Sequence, residues 1–206
     1  MATTKTEKPS SAPDNRLGRN ALNLPNAITM SRLILAVILF ALIDYQGYWI
    51  TGAVVFVIAA ATDALDGFIA RRYGMVTVLG RILDPFVDKF IICGAFIFLL
   101  AKPAAGINAW MVIIVVGREM FVTSLRGFLE QQGKDFSAAW SGKIKMALQC
   151  VAVFVSLLSL APQISESEFK EQFFLARDIL IWAAVISTVW SGLIYVVRGA
   201  KLLRQP

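Results

Sequence analysis

Histidine is absent from the 206 residues, and with it go His-ligated zinc, Ser-His triads, Cys-His pairs and phosphohistidine chemistry. Any catalysis here rests on carboxylates, Lys or Arg. Cysteine is scarce as well: Cys93 and Cys150 lie far apart inside apolar runs and form no CxxC pair. That excludes a disulfide framework or thiol-redox role and leaves two buried packing residues. Charge is low, at 17% of residues against 57% hydrophobic, with a mean hydropathy of +0.67. No ordinary soluble domain has that composition, so the chain falls in the membrane class. The net charge of +6 does not argue for nucleic acid. The basic residues flank long apolar segments, where they would meet anionic headgroups, and the expected partner is a lipid bilayer.

Crossing about 30 Å of hydrocarbon takes about 20 apolar residues. Six stretches qualify: Leu24–Tyr45, Tyr48–Arg72, Arg81–Ala101, Ile107–Gln131, Gly142–Leu160 and Phe173–Val197. The predicted fold class is therefore an all-α integral membrane protein of six transmembrane helices, with one domain over residues 21–206. Residues 1–20 are too polar to fold alone and lack the apolar core of a signal peptide, so they read as a disordered cytoplasmic tail. The adjoining Asn15–Asn23 suits an interfacial helix. Lys and Arg concentrate in the tail, the second and fourth connections and the C-terminal end, which places both termini in the cytoplasm. No internal repeat of the kind found in inverted-repeat transporters is evident. Trp49, Trp110, Trp140, Trp182 and Trp190, with Tyr48 and Tyr195, fall near span ends and read as interfacial belts.

Aspartate inside a spanning helix costs about 2.5 to 3.5 kcal/mol on insertion scales. Asp63 and Asp66 lie near the cytoplasmic end of the second span, and Asp84 and Asp88 near the start of the third. Spacings of i,i+3 and i,i+4 put each pair on one helix face. A short link makes the two helices antiparallel neighbours, so all four carboxylates reach similar depth. Such a cluster in a poorly hydrated place requires cations, since like charges raise one another's pKa. Oxygen-only ligands select hard divalent ions, Mg²⁺ or Mn²⁺, and two of them would balance the four charges. A metal pair of that kind suits phosphoryl chemistry, where it stabilises the attacking and leaving oxygens. The plainer reading is four helix-end aspartates paired with Arg71, Arg72, Arg81 and Lys89. Gly67, Ala70 and Gly80 keep the surrounding surface small, either for a flat ligand or for close helix packing.

Together these residues spell Asp63-x2-Asp66-Gly67-x2-Ala70-Arg71-x8-Gly80-x3-Asp84-x3-Asp88. The pattern resembles the signature of the CDP-alcohol phosphatidyltransferase family at every fixed position. The resemblance implies that family's membrane fold with a cytoplasm-facing polar cavity, in a bacterial-type cytoplasmic membrane, and a homodimer. It further implies a bimetal site on Asp63, Asp66, Asp84 and Asp88, with Asp88 as the base that takes the acceptor hydroxyl's proton. CDP-diacylglycerol would be the donor, with Gly67, Ala70 and Gly80 bordering the cytidine and Asp66, Arg71 and Thr77 among its contacts. Asn26 and Thr29 at the entry to the first span would help hold the nucleotide; read alone, Pro25 and Asn26 there are a helix start.

An anionic acceptor needs cations near the aspartates. Arg118 and Arg126 in the fourth span lie on roughly one side of their helix, and Lys143 and Lys145 open the fifth. Together they suit a phosphate pocket, while Lys143 and Lys145 alone would pass as positive-inside anchors. Arg118 lies too deep to snorkel easily and needs a carboxylate from another helix or a ligand phosphate. The run Gly117–Arg126, followed by Ser141-Gly142-Lys143-Ile144-Lys145, resembles the phosphatidylglycerophosphate synthase branch of the family, with Met146 where that branch carries Thr. That resemblance implies sn-glycerol 3-phosphate as acceptor and CMP as the leaving product. An inositol phosphate acceptor would use the same kind of pocket. A divalent-cation transporter would also carry membrane carboxylates, but the outer halves of the spans hold few ionisable groups.

Overall fold

The computed structural model describes residues 24–45, 47–73, 78–132 and 140–203, with the side chains of 24–26, 63–73, 78–82 and 84 outside that description. The expected tail 1–20 and the interfacial segment Asn15–Asn23 therefore lie outside the described residues. Seven α-helices are described, with no strand among the described residues. They are α1 (Leu24–Asp44), α2 (Trp49–Tyr73), α3 (Val78–Leu100), α4 (Ala109–Gln131), α5 (Trp140–Ser159), α6 (Pro162–Ser165) and α7 (Lys170–Leu203). A 3₁₀ turn, Pro103–Ala105, joins α3 to α4. The six long helices coincide with the six apolar stretches to within a few residues at most ends. α7 runs six residues past Val197, through Arg198 and Lys201. Hydropathy marks where lipid would be tolerated, whereas the helix ends where its backbone hydrogen bonds do. Apolar length does not mark α6 or the 3₁₀ turn; each is a single turn opened by proline, which suits a helix's first turn.

α1 is the hub of one half of the molecule, packing on both α2 and α3. Its buried face is Ala36, Leu39, Phe40 and Ile43, the i, i+3, i+4, i+7 spacing of a helical stripe. Opposite it lie Ala53, Phe56 and Ala59 of α2 and Ile91, Ala95, Phe96 and Leu99 of α3. Phe40 stacks on Phe98 at 5.0 Å between ring centroids and meets Phe90 edge-on at 5.4 Å. Its ring tip occupies the space that Gly94 leaves open: a Cβ at Gly94 would overlap the Phe40 ring. Gly94→Ala is therefore expected to destabilise the protein by roughly 1–3 kcal/mol through overpacking. Thermal unfolding in detergent checks this.

In the other half α5 packs along α7, and α4 also packs on α7. The buried face of α7 is mostly small or polar, with Ala184, Val185, Thr188, Ser191 and Gly199, so the backbones come close. Its far side carries Trp182, Ile186, Val189, Trp190 and Leu193 in the open. That surface would be a fault in water and is the expected one in lipid. By length and composition, Ala27–Asp44, Trp140–Ser159 and Lys170–Leu203 can each cross a bilayer. The molecule is an all-helical membrane protein. Cys93 and Cys150 are partly rather than fully buried.

At the end of the bundle where α3 meets α4, Arg177 of α7 is buried. It donates to the Ala104 carbonyl at 2.6 Å and pairs with Asp178 at 2.8 Å, and its guanidinium lies 4.6 Å from the Phe174 ring centroid. Gly106 passes beneath it with φ of +77°, where a Cβ would lie 2.8 Å from Arg177 Nε. Asn108 then caps α4, its side chain accepting from the Met111 amide at 3.1 Å.

Candidate active site

Two polar clusters lie at the opposite end of the bundle from Arg177. The first joins α1 to α3. Arg32 is buried at 1% exposure and donates to Asp88 Oδ1 in an ion pair. Thr29, one turn earlier on the same face of α1, is equally buried. Between Asp84 and Asp88 stands Pro85, which has no N–H to give the helix, and its carbonyl accepts from Lys89 Nζ at 3.0 Å. Sequence reasoning missed Arg32, although a charge within the first apolar stretch is the same signal that marks the aspartates. Arg32→Ala takes the buried cation away from Asp88. We expect a loss of roughly 3 kcal/mol, at the low end of the range for breaking a buried pair because Asp88 is partly exposed. Chemical unfolding in detergent checks this, and the Arg32→Ala/Asp88→Ala double variant should lose less than the single one.

The second cluster joins α4, α5 and α7. Glu119 of α4, 5% exposed, accepts from Lys145 Nζ of α5, which is equally buried. Arg118 Nη1 lies 3.2 Å from the same Glu119 oxygen, and its Nη2 donates to Ser191 Oγ at 2.6 Å. The Arg118 guanidinium also lies 5.3 Å from the centroid of the Tyr195 ring. Two glycines make room for these side chains. A Cβ on Gly192 would lie 3.3 Å from Arg118 Cγ, and one on Gly142 would lie 3.3 Å from the Tyr195 hydroxyl. Farther along α5 and α7, Gln149 donates to Thr188 Oγ1 at 2.9 Å, which continues the polar seam inward. Arg118 Nε and Ser141 Oγ are buried with no hydrogen-bond partner among the described residues. The arrangement offers converging cations and spare donors to an anion.

The family model for CDP-alcohol phosphatidyltransferases matches residues 22–190, a span that contains both ion-paired groups, Arg32–Asp88 and Arg118–Glu119–Lys145. The chain belongs to that family. Among curated relatives, the CDP-diacylglycerol–glycerol-3-phosphate 3-phosphatidyltransferase of Bacillus subtilis is 35% identical over 196 residues, covering 88% of this chain and 97% of that one. A probable phosphatidylglycerophosphate synthase of Mycobacterium tuberculosis H37Rv is 31% identical over 184 residues, 87% of this chain and 82% of the relative. A further CDP-diacylglycerol–glycerol-3-phosphate 3-phosphatidyltransferase, from Rickettsia bellii, is 33% identical over 175 residues, 84% of this chain and 93% of its own.

In this phosphatidyltransferase the signature residues Asp63, Asp66, Gly67, Ala70 and Arg71 fall on the last turns of α2, and Gly80 and Asp84 on the first turns of α3. Their side chains, that of Asn26, and Thr77 altogether lie outside the described residues. Of the quartet, the described carboxylate is Asp88. Of the four cations expected at an acceptor phosphate, the structure brings Arg118 and Lys145 together. Arg126, two turns on, pairs instead with Glu130 of its own helix at 2.7 Å and is half exposed. Lys143 is exposed, with Nζ 5.0 Å from the Trp140 ring centroid, because a step of two residues turns it away from the face that carries Lys145.

Two expectations change. Arg118 is deep when judged by its distance to the end of α4, and Glu119 is indeed roughly 18 Å from that end by helical rise. Yet Glu119 touches Lys145, which is only about 8 Å in from the start of α5. α4 therefore runs on past its neighbour, and the pocket's depth is set by the shorter helix. Tyr195 is not an interfacial anchor: it is buried at 6% exposure beneath Arg118.

Proposed function

We propose that this phosphatidyltransferase moves the phosphatidyl group of CDP-diacylglycerol onto sn-glycerol 3-phosphate, releasing CMP and forming phosphatidylglycerol phosphate. The observation that carries the reading is the buried convergence of Arg118 and Lys145, with spare donors at Arg118 Nε and Ser141 Oγ, in a chain whose relatives bear that activity in their names. A phosphomonoester acceptor needs such a site; an acceptor without a phosphate, such as serine or ethanolamine, does not.

Asp63, Asp66, Asp84 and Asp88 would hold two hard divalent cations, Mg²⁺ or Mn²⁺. Asp88 suits that role as an oxygen ligand in a partly buried polar setting, and no nitrogen or sulfur ligand accompanies the four. Bound there, the cations would polarise the donor's phosphoryl oxygens and acidify the acceptor hydroxyl. Asp88 takes the proton of that hydroxyl, oriented by Arg32, and the resulting oxygen attacks the phosphorus bearing the diacylglycerol. The bond to the cytidine monophosphate breaks, and CMP leaves. Asn26, Thr29, Asp66, Gly67, Ala70, Arg71, Thr77 and Gly80 border the donor, with the buried Thr29 beside Arg32 on α1 supporting that side of the site. Six spans with both termini cytoplasmic, in a bacterial-type inner membrane, would place donor headgroup and soluble acceptor at one depth. A homodimer completes the proposal. Membership of a phosphatidyltransferase family leaves the cation-transport reading without a motive.

The test is an acceptor panel. Full-length protein in mixed micelles with CDP-diacylglycerol should incorporate labelled glycerol 3-phosphate and release CMP only when divalent cation is present. Transfer to inositol phosphate with none to glycerol 3-phosphate would overturn the assignment.

A further inference from the structure

Glu119 has no part in the chemistry above, yet it is the carboxylate in the middle of the cationic pocket. In a site for a phosphate dianion it looks misplaced, since it repels the ligand. The two cations it touches are held very differently. Arg118 has its own supports on α7, the Ser191 hydroxyl and the Tyr195 ring. Lys145 is joined to Glu119 and to no other hydrogen-bond partner among the described residues. An ammonium on a flexible stem, without an anion beside it in a desolvated place, swings toward water. Lys145 would then leave Arg118 to meet the acceptor alone. With Glu119 present, both cations face one carboxylate, while Arg118 Nε and Ser141 Oγ stay available as donors.

We propose that Glu119 is a positioning residue that acts through Lys145, holding the ammonium beside Arg118 while the site is empty so that an acceptor phosphomonoester meets two converged cations. The inference rests on Arg118 and Lys145 being the acceptor-phosphate site. It assigns Glu119 to acceptor affinity rather than to turnover or donor binding.

The experiment compares full-length wild type, Glu119→Gln, Glu119→Asp, Lys145→Met and Glu119→Gln/Lys145→Met, varying CDP-diacylglycerol and glycerol 3-phosphate in turn. Glu119→Gln should raise the acceptor KM about 10- to 100-fold, the worth of a charge-assisted contact. Its kcat and donor KM should stay within about twofold of wild type, a split that a loss of general stability would not produce. Glu119→Asp should recover part of the acceptor affinity. Adding Glu119→Gln to Lys145→Met should change the acceptor KM by less than about twofold, because the group it positions is already gone. If Glu119→Gln alone does not fold, that last comparison decides, since removing both members of a buried pair is tolerated better than removing one. A fall in acceptor KM for Glu119→Gln would make Glu119 a competitor of the phosphate and overturn the proposal. So would an equal rise in both KM values, or an undiminished effect on the Lys145→Met background. A wild type that ignores glycerol 3-phosphate would instead sink the functional assignment itself.

Discussion

Asp88→Asn should lower phosphatidyl transfer about a thousand-fold while the protein still elutes from detergent purification as a single folded species. Asparagine keeps the size of the side chain and an oxygen for Arg32 to bond, so the contact between α1 and α3 keeps its shape. What it loses is the ability to accept the acceptor's proton and one negative charge of the proposed cation site. Both losses act on the chemical step. The reading is steady-state kcat from CMP release, alongside the melting temperature. Near-normal turnover with an unchanged melting temperature would remove Asp88 from the reaction. The comparison with Arg32→Ala separates the two sides of the ion pair, because that variant is expected to act first on stability.

The second large effect is at the other cluster. Lys145→Met keeps the bulk of the stem and removes the ammonium, and it should raise the acceptor KM about a hundred-fold with the donor KM nearly unchanged. Lys143→Ala serves as the internal comparison. From sequence the two lysines have equal standing in the Ser141-Gly142-Lys143-Ile144-Lys145 element. In the structure Lys143 is exposed above Trp140 and Lys145 is buried against Glu119. A comparable rise in acceptor KM for Lys143→Ala would mean that the phosphate approaches from the exposed side of α5 rather than from the Arg118 pocket.

Much of this architecture is legible in the residues themselves. Apolar length locates the six long helices, because lipid imposes one requirement on every residue of a span. A charge within such a span advertises a partner or a ligand, and that rule marks Arg118 and Asp88 from their positions in the sequence alone. It fails to name the partners. For Arg118 the sequence asks for a carboxylate from another helix, since adjacent residues on a helix point different ways. The long guanidinium side chain nevertheless reaches the neighbouring Glu119, and the contact across helices comes from Lys145 to that same carboxylate. Periodicity defines the face of one helix but not the identity of the helix facing it. For that reason Ser191 and Tyr195, more than 70 residues beyond Arg118, carry no advance sign of their role. The expected meeting of Asp63, Asp66 and Asp84 with Asp88 is read from spacing and from the family signature, its side chains apart from Asp88 lying outside the described residues.

The Arg177 contacts bear on how the bundle can move. α7 is fastened near one end by Arg177 to the Ala104 carbonyl, and again at Ser191 by Arg118, two points about 21 Å apart along its axis. A one-turn ratchet of α7 past α4 would have to rupture both fastenings together and bring unlike side chains into register. Axial sliding of α7 is thereby blocked. Admission of a two-tailed lipid and departure of a lighter one should proceed by lateral displacement of the other helices, with α7 as the stator.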